Sequence, residues 1–414
     1  TWDICSDDQW RAGDHPEDQA IEEFTYDPSN IQLNDSWAGK YEIISRCNAV
    51  LINVPNINMD GTLKNRILGE AHFLRGLVYW QFYKIYGEVP LILEQNVIEN
   101  RYNVPKASLA EMEAQIESDF LQAADLLLET NSPDNYGRPT KGSAWGYLAK
   151  FYMYKENFPK VIEFGSKVIN GPYNLVANYG DNFNPNTQQN SEILFAIQSK
   201  EGWTENIASI YYGPRPWGGW GFQEPIQDLV DEFEPGDERR KYSIAGVGDI
   251  VDPGEGNGGV QPVPAGLTNT GYFFLKHVAW RPDGGLNNDL DIVMLRAADV
   301  YLLVSEAKIR SGQNGDAELN AVRTRAGLDP ISNATMTDVI HERRVELAGE
   351  NERHLDLIRW DKANLIDIKA HYAIDRGPWK PGRTFNRPKN YVFPLPQRQI
   401  DLSNGVLVQN PLYQ

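Results

Sequence analysis

The sequence predicts an all-α protein of tetratricopeptide-like helical pairs, interrupted by a long irregular, loop-rich insert that carries a few short strands. Three observations predict it. Apolar residues recur at spacings of three and four over most of the chain, neighbouring helices pair across short turns, and residues 173–291 lose this periodicity to Gly, Pro, Asn and aromatic residues.

Taken in order, residues 37–54 read as a helix that ends before Pro55. In residues 67–86, Ile67, Ala71, Leu74, Val78, Phe82 and Ile85 form one stripe, and Gly87 and Pro90 stop the helix. Ser108 with Glu111 is a capping-box start for a helix over 108–128, whose apolar positions are Met112, Ile116, Phe120, Ala124 and Leu127. A hairpin follows, 141–154 against 159–169 across a turn at Asn157, with Trp145, Leu148 and Tyr152 facing Val161 and Phe164. Residues 297–310 and 317–326 repeat the plan across 312–315. Inside the insert, 192–198 reads as a strand, 226–233 as a short helix and 251–267 as a mobile surface excursion. The chain thus reads as one domain, 1–414, made of an N-terminal helical part at 1–172, the insert at 173–291 and a C-terminal helical region at 292–414.

With 41% hydrophobic and 23% charged residues over 414 positions, the composition is that of a globular protein with a sizeable core. A net charge of -18 disfavours nucleic acid and anionic membrane as partners. Cys5 and Cys47 are too few for a disulfide framework and have no metal-type spacing with the six histidines; one disulfide and two reduced thiols are equally consistent with the sequence. No stretch is long and apolar enough to span a bilayer, and the start at Thr1, without Met or a signal region, reads as a trimmed terminus. Eleven Trp and 20 Tyr exceed what a helical core of this size needs.

Residues 66–91 are explained as a core helix whose Glu70 and Arg75 pair with neighbours. Residues 341–364 place Arg343, Glu346, Glu350 and Arg353 at helical spacing, followed by Asp356 and Arg359. One helical turn brings Glu346 and Glu350 within the range of a glycosidase pair, but a general acid needs a raised pKa and the neighbouring arginines would hold both ionised. An ion-pair lattice is the better reading.

Eight ordered blocks carry a resemblance. They are WAGKYEIISRCNAVLINV from Trp37, GEAHFLRGLVYWQFYKIYGEVPLI from Gly69, NSEILFAIQ from Asn190, LVDEFEPGDERR from Leu229, LRAADVYLLVSEAKIRSG from Leu295, LNAVRTRAGL from Leu319, HERRVELAGENERHLDLIRW from His341 and YVFPLPQRQIDLSNGVLVQNPLY from Tyr391. Together they resemble the SusD/RagB family of nutrient-binding lipoproteins of Bacteroidetes. The family's usual Gly-Tyr after the QNP triplet is Leu412 and Tyr413 here. The resemblance implies an outward-facing lipoprotein of the cell outer membrane that catalyses nothing. It implies capture of glycan for a SusC-like TonB-dependent transporter, and a lipid anchor on a cysteine upstream of Thr1. Either the family's first helix or two precede the present start, or the chain is short there. Other readings are peptide uptake as in the RagB branch, a helical glycoside hydrolase using Glu346 or Glu350, and an intracellular tetratricopeptide scaffold.

Sugar C–H faces stack on Trp and Tyr rings while hydroxyls need a few polar groups. The stretch 202–223 offers Trp203, Tyr211, Tyr212, Trp217, Trp220 and Phe222 among Gly and Pro. Trp217 and Trp220, in PRPWGGWG, are expected to form the aromatic platform, so that alanine at either weakens binding without unfolding the chain. The family's habit of placing rings before the 229–240 block and near the amino terminus implies the same residues, with Trp2 and Trp10 added. Asn206, Arg215, Asp7 and Gln223 are candidate polar partners, and Trp280 and Trp379 further candidate rings. No cofactor or metal is implied; a structural Ca²⁺ stays open, although the Asp residues lack EF-hand spacing.

Overall fold

The computed structural model describes residues 2–204 and 206–414, except for the side chain of residue 2. The chain enters through β1 (Gln9–Arg11) and α1 (Pro16–Glu22). The Asn30 side chain accepts from the Gln32 amide at 3.1 Å and opens α2 (Ile31–Asn53). Asp60 accepts from the Leu63 amide at 2.8 Å and opens α3 (Gly61–Tyr86). Both helices start upstream of the expected residues 37 and 67, because a cap works through backbone amides and needs no apolar stripe.

At Ser108 the expected capping box is present: its amide donates to the Glu111 carboxylate at 2.8 Å, heading α4 (Leu109–Leu126). Thr140 and Asn157 cap the two arms of the next hairpin, α5 (Lys141–Tyr154) and α6 (Phe158–Ile169). From the insert come β2 (Ile193–Ile197), α7 (Ile207–Tyr212), β3 (Gln223–Pro225), β4 (Ile244–Gly246) and β5 (Tyr272–Phe274). The short helix expected at 226–233 spans Gln227–Glu232. Then β6 (Ile292–Arg296) leads into α8 (Ala297–Arg310), α9 (Asp316–Arg325), α10 (Met336–Glu346) and α11 (Arg353–Lys362). The strands form isolated antiparallel pairs, β1 with β3, β2 with β6 and β4 with β5.

This is the expected all-α body of helical pairs with a loop-rich insert. One core joins both ends of the chain, from Ile4 to Leu407, through Phe73, Trp80, Phe120, Tyr147 and Trp360. Hairpin α5–α6 packs on α8, and a Cβ at Gly165 would lie 2.2 Å from Val304 Cγ2, so this crossing requires a glycine.

The structure adds detail to two readings. Residues 251–267 run mostly over the surface, as expected, but are anchored: Val263 and Leu267 are buried against Trp217 and Phe273, and the Val263 amide donates to the Asp249 carbonyl at 2.9 Å. Cys5 and Cys47 are both free and buried, which decides for two thiols. Burial pushes the Cys5 thiol up to about 12 and the Cys47 thiol up to about 11. Among the described residues, no helix is long and apolar enough to cross a membrane.

The charged block on α10 and α11 is a buried ion-pair lattice. Glu346 receives Arg239 at 2.9 Å and also pairs with Arg296 and Arg325. Glu350 pairs with Lys276 and with Arg296, both at 2.7 Å. Burial by itself raises Glu346, yet Arg325, Arg296 and Arg239 outweigh it and hold the carboxyl well below the usual range. Glu350 is lowered in the same way, by Arg296 and Lys276 against its burial. Neither can donate the proton a glycosidase acid must donate.

Candidate functional site

The site is built by a backbone ribbon that doubles back on α7. Asn206 caps that helix, accepting from the Ala208 amide at 2.8 Å, and its Nδ2 ties the turn down by donating to the Leu290 carbonyl at 2.7 Å. After Gly213 the chain reverses. The Trp220 amide donates to the Ile210 carbonyl at 2.6 Å, Gly221 to Gly213 at 2.9 Å and Phe222 to Tyr211 at 2.8 Å. The strands of this ribbon are so close that a Cβ on Gly219 would lie 2.0 Å from the Gly213 oxygen.

This return gathers three rings. Tyr211 meets Trp220 edge-on at 5.2 Å between centroids and Phe222 at 5.4 Å, and Trp220 meets Phe222 at 5.4 Å. The opposite wall comes from the amino terminus. The Ala12 amide donates to the Phe222 carbonyl at 2.9 Å, and pairing of β1 with β3 sets Arg11 opposite Gln223. Gly13 passes directly over the Phe222 ring at φ 109°, where a Cβ would come within 2.8 Å of Cδ1. His15 closes on Phe222 edge-on at 5.0 Å.

Between these walls lies a cavity of about 630 Å³, lined by the three rings together with Asp14, His15, Asp18, Gln32, Arg215 and Gly219. Arg215 is exposed; its Nε donates to the Trp220 carbonyl at 2.7 Å and its guanidinium lies 6.0 Å over Phe222. Asp18 is buried, and its Oδ1 has no hydrogen-bond partner among the described residues. Burial raises its carboxyl, which His15 partly offsets. The arrangement offers aromatic faces to C–H surface and both acceptors and donors to hydroxyls.

Of the expected residues, Tyr211, Trp220 and Arg215 meet in this cavity, with Phe222. Trp217 does not. It is 6% exposed, set edge-on to Phe273 at 5.9 Å and to Trp280 at 5.7 Å, whereas Trp220 is 43% exposed. Gly218, at φ 90°, turns the chain between them, so the two indoles leave the ribbon on different sides. Trp280 is half-buried with Trp217 in the same cluster. Tyr212 points inward and stacks on His277 at 4.2 Å. Asn206 is spent on capping, and Gln223 is buried in β3. Asp7 is sealed in the body, bonded to Arg353 at 2.9 Å and His371 at 2.8 Å. Trp203 stands alone, 90% exposed on the Lys200–Thr204 turn. Trp10 pairs with Trp379 at 4.5 Å, outside the cavity lining. The side chain of Trp2 lies outside the described residues.

The sequence reading passed over Asp14, His15, Asp18 and Gln32. Asp14 and His15 form a short polar run between Gly13 and Pro16, Asp18 and Gln32 lie outside it, and nothing local joins any of them to a loop some 200 positions away. One group among the described residues, Glu234, His341 and Glu342, is close enough to hold a metal ion. Its carboxylates are already paired to Arg323, at 2.6 and 3.0 Å, and Glu342 to Arg239. None of its three residues lines the cavity.

Helical pairs supporting an aromatic-walled cavity, with the Glu346 and Glu350 carboxylates locked into ion pairs, define a binding protein. The chain belongs to the SusD family, whose model matches residues 173–413. A second model, described as "Starch-binding associating with outer membrane", matches residues 6–153. Among curated relatives, "SusD-like protein P25" of Formosa agariphila is 25% identical over 92% of this chain and 79% of its own length. The "Starch-binding protein SusD" of Bacteroides thetaiotaomicron is 25% identical over 77% of this chain and 68% of its own. Among solved structures, a "Laminarin binding SusD-like protein" superposes with a TM-score of 0.82 at 29% identity, covering 99% of this chain and 93% of that one. Two of these relatives, the starch-binding and the laminarin-binding protein, are named as binding proteins.

Proposed function

We propose that this chain captures oligosaccharide at the outer face of the outer membrane, holds it in the Tyr211–Trp220–Phe222 pocket and passes it to a SusC-like TonB-dependent transporter. One observation carries the reading: three rings converge on a cavity of about 630 Å³ whose rim is Asp14, His15, Asp18, Gln32 and Arg215. Pyranose C–H faces stack on the rings, and hydroxyls bond to the rim. Each contact is weak, and successive sugar units add to one another. The names of the starch-binding and laminarin-binding relatives support a glycan ligand. The family description "associating with outer membrane" supports the location. The lipid anchor and the transporter follow from the family resemblance, and binding requires no metal or other cofactor.

Isothermal titration against a glycan panel that includes laminarin and starch oligosaccharides, beside a peptide mixture, tests the proposal. The expected result is saturable glycan binding that Trp220→Ala weakens. Peptide binding without glycan binding would assign the chain to peptide uptake, and release of reducing ends from a bound glycan would contradict a binding role.

A further inference from the structure

A second cavity, of about 580 Å³, lies where the carboxyl ends of α3, α5, α8 and α11 converge with residues 391–392 and 410–411. It shares no lining residue with the aromatic pocket. On a chain of net charge -18, its wall is basic: Lys84, Lys106, Lys155, Arg310, Arg359 and Lys362 face only Glu88, Glu113 and Glu156. The three glutamates are already taken, Glu88 by Lys106 at 3.4 Å, Glu113 by Lys155 and Glu156 by Arg310. Arg359 is absorbed by Glu306 and Asp356.

Lys84 and Lys362 remain. Neither has a hydrogen bond or ion pair among the described residues. Each ammonium lies over a ring, Lys84 5.3 Å from the centre of Trp80 and Lys362 5.0 Å from that of Tyr391. Glu352, whose charge reaches Lys84, is itself bonded to Lys150 at 2.8 Å. Tyr154 lines the same cavity, and its buried hydroxyl has no partner among the described residues. Surrounding protein lowers the pKa of both lysines; Glu352, Asp299 and Asp356, each paired to another cation, raise Lys84 again in part, and Lys362 stands at the exposed rim.

Cations in the last turn of a helix complement its carbonyl end, which accounts for a lysine or arginine on each helix. It does not account for a hydroxyl without an acceptor or for the cavity kept between them. Two unpaired ammoniums and an unpaired hydroxyl are donors that one anionic acceptor would satisfy together. The volume exceeds that of an inorganic ion, and Leu109, Met153, Leu355 and Ile358 add apolar wall. We propose that this cavity binds a small organic carboxylate, whose oxygens accept from Lys84, Lys362 and Tyr154 while its carbon frame lies against those apolar side chains.

The test is isothermal titration of the full chain with D-glucuronate, its neutral isostere D-glucuronamide and inorganic sulfate, repeated on Trp220→Ala so that the aromatic pocket is silenced. The expected result is saturable binding of glucuronate alone, unchanged by Trp220→Ala and weakened about tenfold or more by Lys84→Met and by Lys362→Met. Should either lysine variant fail to fold, Tyr154→Phe is the substitute, with weakened glucuronate binding expected. Absence of saturable glucuronate binding, equal binding of glucuronamide or sulfate, or unchanged affinity in the cavity variants overturns the proposal. None of these outcomes bears on glycan binding at Trp220.

Discussion

Alanine at Trp220 and alanine at Trp217 are predicted to separate binding from stability. Trp217 is 6% exposed and wedged between Phe273 and Trp280 at centroid distances of 5.9 and 5.7 Å, so truncation leaves a cavity in the insert's own core. Loss of a buried Trp costs about 3–5 kcal/mol. Trp220 is 43% exposed, with one face open to the pocket, and its removal costs the fold far less. It should cost the ligand a stacking partner worth about 1–3 kcal/mol, equivalent to about 5- to 150-fold in Kd. Urea unfolding and isothermal titration on both variants read the two quantities independently. The reasoning is refuted if Trp217→Ala binds weakly while unfolding like the parent, or if Trp220→Ala binds normally.

The remaining predictions rest on other contacts. Gly13→Ala should weaken glycan binding, because its Cβ would lie 2.8 Å from Phe222 Cδ1 and the backbone sits at φ 109°; the strain costs about 1 kcal/mol, and unaltered binding by titration would show that Phe222 can give way. Glu346→Gln should lower unfolding free energy by about 3–5 kcal/mol, since it strips the charge that Arg239, Arg296 and Arg325 share, and urea denaturation checks it. Burial lowers His277 from 6.5 to about 4, so the unfolded chain takes up this proton first and the stability His277 contributes above pH 6.5 is lost as pH falls towards 4. Relative to His277→Gln, the parent should therefore lose up to about 3 kcal/mol over that window, and a pH-independent difference would contradict the assignment. EDTA should leave glycan affinity unchanged by titration, because the group able to hold a metal ion among the described residues is occupied by Arg323 and Arg239 and does not line the pocket.

Local chemistry made the helical body legible. Ser108 with Glu111, and the short turn at Asn157, specify helix starts through hydrogen bonds a few residues apart. The starts at Asn30 and Asp60 were hidden because their first turns are polar and show no stripe. The lattice around Glu346 was readable as ion pairs from helical spacing, although its partners Arg239, Arg296 and Arg325 come from distant elements. The pocket was half visible. Ring-rich sequence among Gly and Pro marks where aromatic groups gather, but the direction each ring takes depends on Gly218 and on what the insert buries beneath it. Hence Trp217 and Trp220, three positions apart, serve the core and the surface respectively. Asp14, His15 and Asp18 reach the rings only through the pairing of β1 with β3, a long-range contact without a local signature.

The most direct measurement of the central claim is a crystal structure of this chain with an oligosaccharide selected from the glycan panel. The account predicts a pyranose face on Trp220, adjoining sugar against Tyr211 and Phe222, and hydroxyls within hydrogen-bond distance of Asp18 or Arg215. Sugar seated on Trp203, or on Trp10 and Trp379, with the aromatic pocket vacant, would contradict it.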